Sequence, residues 1–196
     1  MNKPLQLSLI CILCLLPLIG FSQDKASKIH YSFGGGTTID NNNLLWGLNL
    51  GGELNYQFAN RFSLNTGVSF YQSLGNLESN ELSDIDQSSG IFISPTLRYD
   101  IIQKDNGFKL AFGAGPSLQL GGESVRTRNF FNPEDPIPFT IINKYQRVGL
   151  LLELEAEWKS KNPNIRNAVG VSAFGADGFF PWFIGATYKV RFQAGK

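Results

Sequence analysis

Histidine, cysteine and methionine are nearly missing from this chain. Its 196 residues include one histidine, two cysteines and one methionine. Two cysteines, Cys11 and Cys14, cannot build a disulfide framework or a four-ligand zinc site. A lone His30 without a cysteine cluster offers no ligand set for a histidine-based metal enzyme, so neither a metal nor another cofactor is expected. An excess of charge is missing too. Lys and Arg number 17 against 16 Asp and Glu, a formal net charge of +1. That balance provides no basic stripe for a nucleic acid, which is excluded as a partner. Long apolar runs are absent beyond residue 22, so no helix of about 18 apolar residues is available to cross a membrane. What is present is 42% hydrophobic and 13% aromatic content with 21 glycines, too apolar for a disordered chain.

Residues 1–22 read as a cleaved secretory signal. Lys3 supplies the positive start, an apolar run follows from Leu5 to Phe21, and the small residues Gly20 and Ser22 precede a cut before Gln23. Both cysteines lie inside this segment, behind Ile10 and Leu13 rather than the small residue that lipidation requires. Cleavage removes them together with Lys3, leaving acids and bases in equal number. Residues 23–196 are then expected to form a single cysteine-free domain, suited to a disulfide-forming compartment.

The rest of the chain has a period of two. In 44–58 the even positions carry Leu44, Trp46, Leu48, Leu50, Leu54, Tyr56 and Phe58, while Asn49, Glu53, Asn55 and Gln57 stand between them. That pattern is a strand with one apolar and one polar face. It recurs at 62–70, 91–101, 108–120, 148–159 and 182–193, and more weakly at 28–38 and 165–176. The count is eight, an even number. Connections near 39–43, 74–89, 122–143 and 177–180 alternate with tighter ones at 59–60, 102–106 and 160–164. Short turns on one side and longer loops on the other are the arrangement of bacterial outer-membrane barrels. The expected fold is therefore all-β: an eight-stranded antiparallel transmembrane barrel with short periplasmic turns and longer extracellular loops. Aromatic girdles are expected from Tyr56, Phe58, Phe62, Tyr99, Phe108, Trp158, Tyr188 and Phe192 at the turn side, with Phe33, Trp46, Phe70 and Trp182 toward the loop side.

These features resemble the small outer-membrane β-barrel family, of the OmpA/OmpX-like and PorT-like kind. The leader ending Gly20-Phe21-Ser22-Gln23, the strand from Trp46 to Phe58, and the ending Gly185-Ala186-Thr187-Tyr188-Lys189-Val190-Arg191-Phe192 carry the resemblance. That ending resembles the last-strand signal read by the barrel-assembly machinery, with the departure that Gln193 to Lys196 follow Phe192. The resemblance implies a bacterial outer-membrane location, outer-membrane lipid as surroundings, and the assembly machinery as a partner during insertion. Its motifs are patterns rather than catalytic residues, so they imply architecture and no specific activity.

Eight strands leave a lumen just wide enough for side chains, so the inward residues should form a plug. Glu153, Glu155 and Glu157 share one face of one strand, and antiparallel neighbours bring Lys109 and Arg166 to the same end. Glu53, Arg98, Lys189 and Arg191 complete a candidate salt-bridge cluster, because buried carboxylates require pairing. A proton path or acid/base pair is the functional alternative to a plug. His30, at the periplasmic end, is the candidate for a nucleophile–His hydrolase, though lipid A would lie on the opposite side. The acidic stretch Glu78, Glu81, Asp84 and Asp86 matches no calcium-loop spacing. The 122–143 loop, with Arg126, Arg128, Phe130 and Phe131, has the composition of a contact surface for an extracellular or envelope protein. Its alternatives are a self-packed cap or an extension of the strands through 139–142. Gly34-Gly35-Gly36 lacks the helix and Lys-Ser/Thr of a phosphate loop, and reads instead as relief of crowding or a bend. Three functions follow: a non-enzymatic barrel with a structural or surface-contact role, a lipid-modifying outer-membrane enzyme, and a soluble lipocalin-like carrier with its apolar face inward.

Overall fold

The computed structural model describes residues 28–77, 85–128, 138–162 and 164–193. The leader read at 1–22, Phe130 and Phe131, and Glu78, Glu81 and Asp84 lie outside the described residues. Eight strands run in order: β1 (Ile29–Asp40), β2 (Leu45–Gln57), β3 (Phe62–Asn76), β4 (Ile85–Gln103), β5 (Lys109–Arg128), β6 (Pro138–Lys159), β7 (Ile165–Ala176) and β8 (Phe179–Gln193). Each pairs antiparallel with its sequence neighbour, and β1 pairs with β8 to close the ring.

Alternation puts the apolar face outside. Phe33 and Leu50 are 64% and 66% exposed, in a belt continued by Leu48, Val68, Leu97, Phe112, Leu154 and Val171. A soluble monomer rarely exposes so broad an apolar surface. The polar parity turns inward: Ser32, Asn55, Ser63, Asn65, Thr96, Arg98, Ser117 and Arg191 are buried. A carrier with an apolar interior and polar exterior is the reverse of this arrangement.

The aromatic residues at the turn end point outward. Phe58, Phe62, Tyr99, Trp158, Tyr188 and Phe192 are exposed, and Tyr56 and Phe108 half-exposed. Phe58, Phe62 and Tyr99 form a row, with centroids 6.2 and 4.9 Å apart. Toward the loop end Trp46 is exposed as expected, but Trp182 is not. It is 7% exposed, as deeply placed as its neighbour Phe183. Alternation breaks just after Pro181, and the indole lies under Arg147 rather than at the outer surface. The outward aromatics of that region are Phe179 and Phe180.

Part of the length read as loop is paired strand. β3 continues to Asn76, β4 begins at Ile85, and β5 and β6 stay in register out to Arg128 opposite Pro138. Arg126 and Arg128 therefore stand on strand backbone. The period-two signal fades here because outside an apolar slab both faces of a strand can meet water, while backbone pairing continues regardless. Spanning a bilayer takes only about 9–11 residues. The 20 residues of β5 and 22 of β6 thus exceed that need by far.

Gly34 and Gly36 sit where β1 closes against β8. A Cβ added at either would run into the carbonyl oxygen of Tyr188 or Ala186, respectively. The glycines permit a close approach of two backbones at the seam. Gly36→Ala should lower the fraction of folded, fast-migrating protein on an unboiled gel. Gly122→Ala, where an added Cβ meets only the Asn143 carbonyl at 3.4 Å, should leave that fraction unchanged.

Candidate functional site in the barrel lumen

Chemistry-bearing side chains concentrate inside the barrel, in two polar tiers separated by an aromatic layer. Nearer the turn end, every residue of the expected cluster joins one connected network. Glu157 is held by three arginines: Arg98 at 3.3 Å, Arg166 and Arg191. Glu155 meets Arg98, Arg191 at 2.9 Å and Lys189 at 3.1 Å. Lys189 also binds Glu53 and lies 3.7 Å from Glu153. Two hydroxyls complete the acceptors: Ser32 donates to Glu53 at 3.2 Å and Thr96 to Glu153 at 3.4 Å.

Geometry explains the assembly. Register sets Lys109 opposite Glu157 across β5–β6, and Arg166 opposite Lys159 across β6–β7. Long arginines on β4 and β8 then span the narrow lumen to β6. Lys109 goes to Asp100, at 3.0 Å, rather than to the β6 glutamates. Asp100 also accepts from Gln103 at 2.8 Å and lies 3.5 Å from Arg98. The candidate cluster omitted Asp100, although its place two residues from Arg98 on the same face was the signal for it.

Above this network the lumen turns aromatic. Tyr71, Phe92, Phe174 and Phe183 pack edge-on or tilted with centroids 5.3 to 6.2 Å apart. The interior is thus not filled by polar side chains alone. These rings sit on the inward parity of their strands, in line with Ser73, Ser94, Ser172 and Gly185, so the strand pattern marked them. A cavity of about 110 Å³ lies between the rings and the charged network.

The second polar tier caps the loop end. Asn43 donates to Asp40 at 2.9 Å and to Glu123 at 3.2 Å. The Arg147 guanidinium lies 3.7 Å from the Tyr145 ring centroid and 4.0 Å from that of Trp182, and reaches Glu123 at 3.5 Å. Such stacking suits a planar, weakly hydrated cation. Asp40 and Asn43 come from the end of β1 and its connection, and Glu123, Tyr145 and Arg147 from the parts of β5 and β6 where alternation is faint; sequence reasoning missed these five.

His30 stands at the turn end, and its Nδ1 is buried without a hydrogen-bond partner among the described residues. No group of three or more His, Cys, Asp or Glu that could hold a metal occurs among the described residues.

No protein-family model matches the chain, and no curated protein matches it by sequence. Solved structures do match. Neisserial surface protein A superposes with a TM-score of 0.59 at 14% identity, over 87% of this chain and 100% of its own. The N-terminal β-barrel domain of Pseudomonas aeruginosa OprF gives 0.54 at 11%, over 86% and 100%. A major outer membrane protein from Thermus thermophilus gives 0.54 at 15%, over 86% and 99%. The chain has the fold of a small outer-membrane β-barrel. At these identities the likeness concerns the fold, and the lumen chemistry must be read from this chain's own residues.

A charge network of this kind can be ranked by what each deletion strands. Arg98→Met leaves Glu155, Glu157 and Asp100 each short of a partner, and should cost about 3–5 kcal/mol in urea unfolding of the folded barrel. Lys109→Ala leaves Asp100 with Arg98 and Gln103 and should cost nearer 1 kcal/mol. Equal losses would contradict this hierarchy.

Proposed function

We propose that the chain is an integral outer-membrane barrel without catalytic activity, inserted with its turn end in the periplasm, with a sealed lumen and a surface-contact role. The observation that carries this reading is the inside-out surface: a broad apolar belt outside, an aromatic row at its turn-end margin, and ion pairs and packed rings within. Lipid meets the belt, and closure of the ring gives every strand a paired neighbour on both edges. The charged network and the aromatic layer together fill the lumen, which supports a plug rather than a pore.

The contact role rests on the ribbon formed by β5 and β6. Among the described residues β6 pairs with β7 only from Gly149 onward, whereas it pairs with β5 out to Pro138. Residues 138–148 thus present a free strand edge, with Ile141, Ile142 and Val148 exposed beside it. Free edges are sites of strand addition by a partner. An extracellular or envelope protein is the proposed partner, reached through the region 122–143. During biogenesis the strand ending at Phe192 is the proposed signal to the assembly machinery, after cleavage of residues 1–22.

Fractionation and labelling test this reading together. The protein should occur in the outer-membrane fraction and migrate faster unboiled than boiled. With Cys11 and Cys14 removed by cleavage, an introduced cysteine is a clean probe. Asn143→Cys on the ribbon should react with an impermeant maleimide on intact cells, and Asp105→Cys in a turn only after permeabilisation. A soluble protein, or the opposite labelling pattern, would overturn the proposal.

A further inference from the structure

At the turn end the lumen opens into a second cavity of about 200 Å³. Five cations line it, Arg61, Arg98, Lys109, Arg166 and Arg191, against two carboxylates, Asp100 and Glu157. Two of the cations lie shallower than the carboxylates, while Arg98 and Arg191 lie as deep as they do, with side chains 5% and 4% exposed. The side chains of Lys109 and Arg166 are 25% and 19% exposed, while those of Asp100 and Glu157 are 7% and 3% exposed. Arg61 stands at the rim, exposed, its guanidinium touching only the Tyr99 hydroxyl at 3.5 Å among the described side chains. The carboxylates are therefore recessed behind Lys109, Arg166 and Arg61, and an incoming solute meets these three cations first. Two buried nitrogens of the wall, Arg191 Nε and His30 Nδ1, have no partner among the described residues. Unused hydrogen-bonding capacity in such a place calls for water or an ion.

We infer that this vestibule is a binding site for an oxyanion, a phosphate or carboxylate group presented from the periplasmic side. Arginine forks and a lysine suit such oxygens, by bidentate contact and point charge respectively. At about 30 Å³ per water, the cavity has room for several waters, so a tetrahedral anion fits with part of its hydration. Arg98 and Arg191 are engaged by Glu155 and Glu157, so low-dielectric walls focus the excess positive charge of Arg61, Lys109 and Arg166 into the mouth. The site also gives the network a purpose that a plug alone does not need. Neutralising five carboxylates would be served by deep cations, whereas Arg61 pairs with no carboxylate among the described residues and adds charge only to the mouth. Access from the periplasm rests on the orientation proposed above, while binding itself does not, so the two can fail separately.

The test uses the folded barrel in zwitterionic micelles, with inorganic phosphate as the probe in calorimetry or phosphorus NMR. Saturable binding that weakens with added salt is expected. Arg61→Glu should weaken it about tenfold, equivalent to about 1.4 kcal/mol, with unboiled gel migration unchanged. Arg61→Lys should restore most of it, and Lys144→Glu on the distant ribbon should leave it intact. Nanodiscs separate the two sources of such an oxyanion. Equal phosphate affinity in neutral and phosphatidylglycerol-containing discs identifies a free anion, and weakened affinity only in the anionic discs identifies a lipid headgroup already seated there. Either result supports the site. No saturable binding up to about 20 mM phosphate, a concentration that would fill even a site with a Kd of about 1 mM, would overturn it. So would equal affinity in Arg61→Glu and the wild type.

Discussion

Backbone pairing around a closed ring is the constraint on which the rest depends. A strand can face hydrocarbon only if both of its edges are satisfied, so the first strand must find the last. In this chain that meeting of β1 and β8 occurs through Gly34 and Gly36, whose missing side chains let the two backbones come together. Once the ring is closed, alternation leaves no choice about contents. Half of the residues face out and half face into a lumen of fixed, small radius, where their volumes and charges must match.

The lumen meets that demand in layers. Charges gather toward one end because β6 carries Glu153, Glu155 and Glu157 in successive inward places, and only antiparallel neighbours with inward cations can accommodate them. An aromatic layer then occupies the middle, and a stacked arginine closes the other end. Each tier limits the next: the rings isolate the ion pairs from the loop-end solvent, which leaves the turn end as their open side. The proposed oxyanion site follows from that asymmetry, since the carboxylates are drawn inward while Arg61, Lys109 and Arg166 remain at the mouth.

A second asymmetry runs along the barrel axis. The turn ends are trimmed to a few residues, whereas β5 and β6 run on together as a ribbon with an unpaired edge. Closure of the ring explains every strand up to its rim and nothing beyond it. The continuing ribbon is therefore the part of the fold not required by closure, and it is where the proposed contact function is placed.

Much of this was legible in the residues. Strict alternation in 44–58 and 148–159 marked the strands and their inward face, and with it the members of the ion-pair cluster, because a period of two assigns sides without any knowledge of neighbours. The alternation at 91–101 and 182–193 extends to Phe92 and Phe183, yet their meaning as one layer with Tyr71 and Phe174 needed the ring, since β4 and β8 lie far apart in sequence. Trp182 was misplaced because parity fails after Pro181. The ribbon was hidden because its faces no longer differ in surroundings. Sequence alone thus determined which side each strand residue faces, as that depends on local backbone geometry. Only the tertiary structure decided who meets whom across the lumen, which cations stay at the mouth, and where pairing ends. Those depend on register and closure, which no single strand contains.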